Sequence, residues 1–263
     1  MNAGTIAALS GALSGTHIAV EVVEETGSTN ADLLARAANF REPLTEPLLL
    51  VARSQTAGRG RAGRSWLSSS EGSLTFSLAW PFEGALTRLA GLPLAVGVAL
   101  AETLERLGVQ VGLKWPNDVL RDGDKLAGIL IETQAAPGGG TWAVIGIGLN
   151  LLMPDELEAR IGRNVASLPW LARMERDSLM AALLDGLAGC LREFERGGFP
   201  LFVARWNLRH AWQGEPVIVL DRGAVLHEGV AAGVDESGRL LLDTPAGRVA
   251  VLSGDVSLRM KGA

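Results

Sequence analysis

The segment from Ser54 to Trp66 constrains the fold more than any other part of this 263-residue chain. Its sequence, SQTAGRGRAGRSW, alternates three arginines with three glycines and ends on a tryptophan. So much glycine disfavours a helix interior or a packed strand, and three guanidinium groups are not buried without an anionic partner. The segment is therefore expected to be a loop that binds phosphate or carboxylate, with a solvated surface loop as the alternative.

Composition indicates a soluble protein with a substantial core. The chain is 48% hydrophobic and 20% charged, and its net charge of −5 argues against non-specific binding to nucleic acid. The single cysteine, Cys190, excludes an internal disulfide framework and fits the cytoplasm. Cys190 lies in an apolar helical pattern, so a buried structural thiol is expected. The three histidines are scattered, and no structural metal is expected.

The N-terminal residues carry no targeting signal of the usual kind. Residues 1–14 lack a basic region and a leucine-rich core, so no signal peptide is expected. The longest uncharged apolar run, Leu89 to Ala101, is too short for a bilayer and predicts a core helix, with no membrane association. An extension of residues 1–17 is too short for a helix-turn-helix module, so no DNA binding is expected.

Hydrophobic periodicity predicts a mixed α and β chain. Ser28-Thr29-Asn30 supplies helix N-cap chemistry, and residues 73–80 alternate apolar and small or polar side chains. Two strands joined by residues 135–140 are expected to form a hairpin, and short strands after Gly214 predict a small β-barrel. The expected strands are 18–24, 48–54, 73–80, 109–115, 125–134 and 141–151, and the expected helices are 31–38, 93–107, 177–195 and 199–209.

Two familiar phosphate-binding motifs are excluded by context. Gly58-x-Gly60-x-x-Gly63 matches the dinucleotide fingerprint, but residues 64–72 are loop material, whereas that mechanism needs a helix to begin inside the motif. No Gly-Lys-Ser/Thr ending is present in the chain, which excludes a P-loop.

Three further motifs combine charge with special backbone geometry. Lys114-Trp115-Pro116-Asn117-Asp118 turns the chain at a strand end, and an ordinary turn is its alternative. Lys125 begins an otherwise apolar strand, residues 125–130, and the alternative is that this lysine is simply solvated. In residues 146–150, Gly146, Gly148 and Asn150 share one strand face. This pattern indicates either a flat patch where a ligand lies against the backbone or close packing of another element.

Together these motifs resemble the biotin–protein ligase family in order and spacing. The resemblance covers about residues 18–209, and residues 233–238 and 253–257 resemble the family's SH3-like C-terminal domain. It implies an α+β fold: a mixed sheet flanked by helices, as in class II aminoacyl-tRNA synthetases and lipoate ligases, plus a small SH3-like β-barrel. The expected division is an N-terminal extension (1–17), a catalytic domain (18–210) and a C-terminal domain (211–263).

The resemblance implies a two-step ligation. Biotin and ATP, with Mg²⁺, form biotinyl-5′-AMP, and the biotinyl group then passes to a lysine of a biotin carboxyl carrier domain, as in acetyl-CoA carboxylase. A lipoate or octanoate ligase on the same scaffold is the alternative function, and a binding module that uses the arginine loop is a third. The resemblance also allows a homodimer.

The resemblance assigns roles to individual residues. Asp118 either orients or deprotonates the acceptor amine or merely holds the turn. Ala62 departs from family members that have a third arginine there. No metal-binding residue is expected. The implied catalytic residues are Arg59, Arg61, Lys125 and Asp118; the implied biotin-binding residues are Ser28, Thr29, Asn30, Gln55, Arg59, Gly60, Arg61, Lys125 and Gly128; and the implied adenylate-binding residues are Arg61, Arg64, Trp66, Asn117, Lys125 and Asn150.

Overall fold

Two sheets organise the chain. The computed structural model describes residues 1–15, 17–39, 41–136, 139–162, 164–254 and 256–262. Within them lie a seven-stranded mixed sheet with flanking helices and a five-stranded antiparallel sheet near the C-terminus. This confirms the predicted α+β class. Pro137 and Gly138 of the expected hairpin turn, and Asp255 of the closing motif, lie outside the described residues.

The large sheet is antiparallel except at one edge. Its strands in chain order are β1 (Ala19–Thr26), β2 (Leu48–Gln55), β3 (Ser73–Phe82), β4 (Gly112–Lys114), β5 (Asp118–Arg121), β6 (Asp124–Ala135) and β7 (Thr141–Asn150). The spatial order is β1-β2-β3-β7-β6-β5-β4, and only β1 and β2 run parallel. The expected hairpin is confirmed, since β6 and β7 pair along their lengths.

Helices cover both faces of this sheet. They are α1 (Ala3–Ser14), α2 (Thr29–Ala37), α3 (Leu92–Arg106), α4 (Asp155–Ile161), α5 (Arg176–Gly197) and α6 (Val203–Leu208). The main core joins one sheet face to α3 and α5, with α1 packed on α5. A smaller core places α2 against the opposite face. The functional motifs gather on the α2 side.

Several predicted elements differ from those observed. The first helix, α1, was not predicted; its N-cap Asn2 accepts a hydrogen bond from the Thr5 amide at 3.0 Å, and Ile6 is fully buried. Strand β5 was also missed, because a four-residue strand after a proline turn carries little periodicity. The predicted strand 109–115 shortens to β4. The predicted helix 199–209 begins as a 3₁₀ turn before α6.

The alternation in β3 does not separate a core face from a solvent face. Its residues are buried on both faces except Pro81. Leu74, Phe76 and Leu78 belong to the main core. On the opposite face, Thr75 and Ser77 are buried beneath the functional motifs. A polar residue in this strand therefore marks a site rather than solvent.

The predicted core helix is α3. By length and composition, the segment Leu86–Arg106 could cross a membrane, but most residues of α3 are buried inside the protein. Gly91, in a left-handed conformation, precedes the helix, and Gly108, with φ of 80°, follows it. The helix therefore begins and ends beside glycines, close to the predicted bounds of 93–107.

The C-terminal sheet is tied to the large domain by specific hydrogen bonds. Its strands are β8 (Pro216–Asp221), β9 (Ala224–Val234), β10 (Leu240–Thr244), β11 (Gly247–Val251) and β12 (Val256–Met260), in the order β11-β10-β9-β8-β12. The Asn207 amide donates to the Val234 carbonyl at 3.2 Å and accepts from the Val234 amide at 2.8 Å. The Trp115 indole donates to the Gly238 carbonyl at 3.1 Å. These bonds bring β12 to the functional motifs.

Candidate active site

One cavity on the α2 side collects almost all the predicted site residues. It lies between the Ser54–Trp66 segment, here called the arginine loop, and the start of α2, the β4–β5 turn and β12. The predicted residues that line it are Ser28, Thr29, Asn30, Gln55, Arg59, Gly60, Arg61, Arg64, Trp66, Asn117, Asp118, Lys125 and Gly128. The sequence motifs therefore meet in space.

The start of α2 gives the cavity a neutral polar end. Ser28 caps the helix, its Oγ accepting from the Ala31 amide at 3.5 Å. The amide and hydroxyl of Thr29 both donate to Gln55 Oε1, at 2.9 and 3.1 Å, and Thr29 Oγ1 lies 2.7 Å from Ser77 Oγ. Donors and acceptors without charge at this end suit a neutral polar ligand group.

Asn30 is fixed from three sides. Ser77 Oγ donates to Asn30 Oδ1 at 2.6 Å, and Asn30 Nδ2 donates to Glu132 Oε2 at 3.0 Å. Beneath it, a Cβ on Gly146 would lie 2.2 Å from Asn30 Oδ1. A glycine is therefore needed at position 146 so that Asn30 can pack closely against β7. Of the two interpretations of this motif, close packing of another element applies at Gly146.

The arginine loop is an ordered turn without a helix. In residues 54–72, all of them described, the only helical element is one 3₁₀ turn at Arg61–Gly63. The Gly60 amide donates to the Arg64 carbonyl at 2.6 Å, and the Trp66 amide donates to the Gly58 carbonyl at 2.9 Å. These bonds close the loop on itself, and the predicted loop character of residues 64–72 is confirmed.

Two arginines of the loop reach across to other strands and to the second domain. Arg59 Nη2 donates to Glu132 Oε1 at 2.6 Å. Arg61 Nη1 donates to Asn117 Oδ1 at 3.1 Å, and its Nη2 donates to the Gly254 carbonyl at 2.5 Å. The loop therefore lies over the cavity, held at both guanidinium groups.

Asp118, at the start of β5, joins two lysines that line the cavity. Lys125 Nζ lies 2.5 Å from Asp118 Oδ1, and Lys114 Nζ lies 3.9 Å from Asp118 Oδ2. All three side chains are at most 18% exposed. Lys114 belongs to the predicted motif but had no predicted role. Its spacing of four residues from Asp118 was the signal in the sequence that the two side chains could form an ion pair.

Trp66 forms an aromatic wall over two glycines. A Cβ on Gly148 would lie 2.2 Å from the indole, and one on Gly128 would lie 3.2 Å from it. The indole Nε1 is buried and has no hydrogen-bond partner within the described part of the chain. A buried donor beside the cavity is available to a ligand.

Of the two asparagines predicted on the adenylate side, Asn117 lines the cavity and Asn150 does not. Asn117 Nδ2 donates to the Ile129 carbonyl at 2.7 Å, so the residue joins β6 to Arg61. Asn150, predicted on the adenylate side, does not line the cavity. It is buried behind the wall, and its Nδ2 lies 3.4 Å from the Lys125 carbonyl.

The C-terminal domain contributes part of the cavity wall. Val256, Ser257, Leu258 and Arg259 of β12 line it, and sequence reasoning assigned none of them to the site. Among the described residues that line the cavity, six are cationic and one, Asp118, is a carboxylate: the cations are Arg59, Arg61, Arg64, Lys114, Lys125 and Arg259. The cavity therefore favours an anionic ligand.

The lone cysteine takes no part in this site. Cys190 is buried in α5, and its thiol donates to the Ala95 carbonyl at 3.3 Å. Burial raises the pKa of the thiol, which disfavours the nucleophilic thiolate. The expectation of a structural thiol is confirmed.

Comparison with known proteins agrees with this geometry. The model of the Biotin/lipoate A/B protein ligase family matches residues 22–150, and that of the Biotin protein ligase C terminal domain matches residues 214–259. The biotin--[acetyl-CoA-carboxylase] ligase of Mycobacterium tuberculosis is 37% identical over 245 residues, covering 90% of this chain and 88% of that protein. The chain belongs to the biotin protein ligase family.

Other biotin protein ligases match over similar lengths. The bifunctional ligase/repressor BirA of Escherichia coli is 32% identical over 256 residues, covering 95% of this chain and 76% of that protein. A solved biotin protein ligase from Aquifex aeolicus, in complex with biotin and ATP, has a TM-score of 0.76 and 29% identity, covering 92% of this chain and 99% of that one. The predicted fold and family are thus confirmed.

Proposed function

We propose that this chain is a biotin–[acetyl-CoA-carboxylase] ligase that activates biotin with ATP and transfers it to a lysine of a biotin carboxyl carrier domain. The observation that carries the proposal is one cavity that combines neutral polar side chains at the start of α2 with a strongly cationic lining. The polar side chains at the start of α2 suit a ureido group, and the lining as a whole includes six cations and one carboxylate. A carboxylic acid with a polar neutral head, joined to a nucleotide, fits that combination.

In the first step, a biotin carboxylate oxygen attacks the α-phosphorus of ATP, and pyrophosphate leaves. Two anions must meet, so cations that neutralise both and hold them in line lower the barrier. We assign this role to Lys125, Arg59 and Arg61. Mg²⁺ would arrive with the phosphates, and the described residues include no group of three or more His, Cys, Asp or Glu suited to hold a metal.

In the second step, the acceptor amine attacks the acyl carbon, AMP leaves, and the amine loses a proton. Asp118 lies 2.5 Å from Lys125, which supports a role in holding that lysine over a role as the base. Replacement of Asp118 by Asn distinguishes the two. If Asp118 holds Lys125, the variant slows adenylate formation; if Asp118 is the base, the variant slows only transfer from preformed biotinyl-AMP.

Biotin-dependent exchange of pyrophosphate into ATP tests the proposed activity. The expected result is exchange with biotin and none with lipoate or octanoate. Exchange with lipoate alone would favour the lipoate ligase, which shares the first family model. Transfer to a carrier domain is then measured by the mass gain of that domain.

The edge of β6 supports the predicted homodimer. Residues 124–128 of β6 pair with β5, whereas residues 129–135 pair with β7 alone among the described strands. An open strand edge can pair with a second chain. Light scattering on the purified protein, with and without biotin and ATP, measures the mass. A cytoplasmic location and the lack of DNA binding stay predictions.

A further inference from the structure

Glu132 holds together two parts of the cavity that the chain brings from distant positions. The residue lies on β6, and its carboxylate is 23% exposed. Oε1 accepts from Arg59 Nη2 at 2.6 Å, and Oε2 accepts from Asn30 Nδ2 at 3.0 Å. One carboxylate thus bonds both the arginine loop and the start of α2.

The bond to Asn30 determines which end of that amide faces which neighbour. A carboxylate oxygen only accepts hydrogen bonds, so Glu132 selects the orientation with Nδ2 towards itself. Asn30 Nδ2 also lies 3.3 Å from the Leu130 carbonyl, a second acceptor, and Oδ1 is left to accept from Ser77. An amide at position 132 would accept either orientation, so the Leu130 carbonyl alone would then favour the observed one.

The bond to Arg59 anchors the first half of the arginine loop. The guanidinium is 46% exposed, so the carboxylate rather than burial fixes its position. The second half is anchored separately through Arg61 to Asn117 and Gly254. Loss of Glu132 therefore frees one end of the loop while the other end stays attached.

We propose that Glu132 is a positioning residue that keeps the arginine loop closed over the neutral polar end of the cavity and fixes the Asn30 amide. It acts through Arg59 and Asn30 and does not line the cavity. It thereby sets the affinity for biotin and the retention of biotinyl-AMP more than the rate of activation. This inference rests on the proposed function of the same cavity.

The variant Glu132→Gln tests the proposal because it keeps the size of the side chain and removes its charge. A hydrogen bond to a charged group is worth enough to change affinity by about tenfold. The expected result is a KM for biotin raised by about tenfold, with a smaller fall in kcat and a nearly unchanged KM for ATP. Release of biotinyl-AMP should be faster to a similar degree.

Limited trypsin cleavage of the ligand-free protein provides a readout that does not depend on activity. Arg59, Arg61 and Arg64 are cleavage sites, and Glu132→Gln should be cut faster there than wild type. The matched control is Glu21→Gln, because Glu21 also pairs with an arginine, Arg36 at 2.8 Å, away from the cavity. The control should match wild type in both assays.

Two results would overturn the proposal: unchanged biotin KM and cleavage rate in Glu132→Gln, or an equal rise in the KM for ATP. Thermal melting of both variants identifies any general loss of folding. If Glu132→Gln does not fold, Glu132→Asp, which keeps the charge, replaces it. Glu132→Asp should show a smaller rise in the KM for biotin and a smaller rise in the cleavage rate. If wild type shows no biotin-dependent exchange, the proposed function fails, whereas the cleavage result still tests the anchoring of the loop.

Discussion

Lys125 and Arg61 both line the cavity, and their charges are the clearest test of the chemistry. The variants Lys125→Ala and Arg61→Ala should each lower the rate of adenylate formation by at least about tenfold, because each removes a cation from the meeting point of two anions. Pyrophosphate exchange measures the rate. Lys261→Ala is the control, since Lys261 pairs with Glu228 outside the cavity. A near wild-type rate in either variant would remove that residue from the mechanism.

Gly148 allows Trp66 to lie directly on β7. A methyl group in Gly148→Ala would stand 2.2 Å from the indole and displace it. We expect weaker binding of biotinyl-AMP, by about tenfold, because the cavity loses an aromatic wall that is predicted to contact the nucleotide. Calorimetric titration with the adenylate measures this change.

Gly189→Ala is the matched control for Gly148→Ala. A Cβ on Gly189 meets nothing within 4 Å, and the residue lies inside α5. The control should keep its affinity and gain about 0.5–1 kcal/mol of stability, since alanine is the better helix former. Equal affinities in the two variants would contradict the stacking of Trp66 on the strand.

At the scale of elements, α6 is held to α3 by arginine–carboxylate pairs. Arg205 donates to both oxygens of Glu102, at 2.9 and 2.6 Å, and to Glu193 at 2.8 Å. The hydrogen bond from Arg205 holds the pKa of Glu102 below its ordinary value of 4.5. A carboxyl with a lowered pKa stabilises the fold above its unfolded pKa, and this contribution is lost as the pH falls through the folded pKa.

The variant Glu102→Gln should therefore melt at a lower temperature than wild type at pH 7. The expected loss is about 1–2 kcal/mol, or roughly 2–6 °C, because the pair is partly exposed. As the pH falls below 4.5 and through the lowered pKa of folded Glu102, the two melting curves should converge because Glu102 takes up its proton. A difference that stays constant throughout this fall in pH would show that packing, and not charge, holds α6.

Sequence reasoning found elements whose causes are local. The Ser28 cap, the glycines around α3 and the loop character of residues 54–66 follow from neighbouring residues alone. The missed features depend on distant partners: β5 exists because it pairs with β4 and β6. Glu132 lies 73 positions from Arg59, and nothing nearby in the chain marks it. Among the predicted site residues, Asn150 is the one that does not line the cavity.

At the scale of the whole molecule, the C-terminal domain completes the cavity rather than standing apart from it. Deletion of residues 214–263 removes β12 from the cavity wall and the Gly254 carbonyl from Arg61. We therefore expect slower biotin transfer to the carrier domain. The mass gain of that domain over time measures the rate. Unchanged transfer by a folded truncation would show the domain to be dispensable.

A subtler variant changes the attachment of the domain alone. Asn207→Ala removes both hydrogen bonds to Val234 and leaves every residue of the cavity in place. The expected effect is a loss of about 1–3 kcal/mol of stability, because a backbone amide and carbonyl lose their partners. Chemical denaturation measures the loss, with Asn164→Ala, at an exposed position, as the surface control.

The pairing of Lys114 and Lys125 with Asp118 has a consequence for the enzyme's own survival. A mixed anhydride formed in this cavity is a reagent for amines, and the chain contains only three lysines, two of them beside it. A lysine is an ammonium ion at neutral pH and then has no lone pair with which to attack an acyl carbon. All three lysines are held against a carboxylate, Lys114 and Lys125 by Asp118 and Lys261 by Glu228, so any label that the protein places on itself should be found at the N-terminal amine.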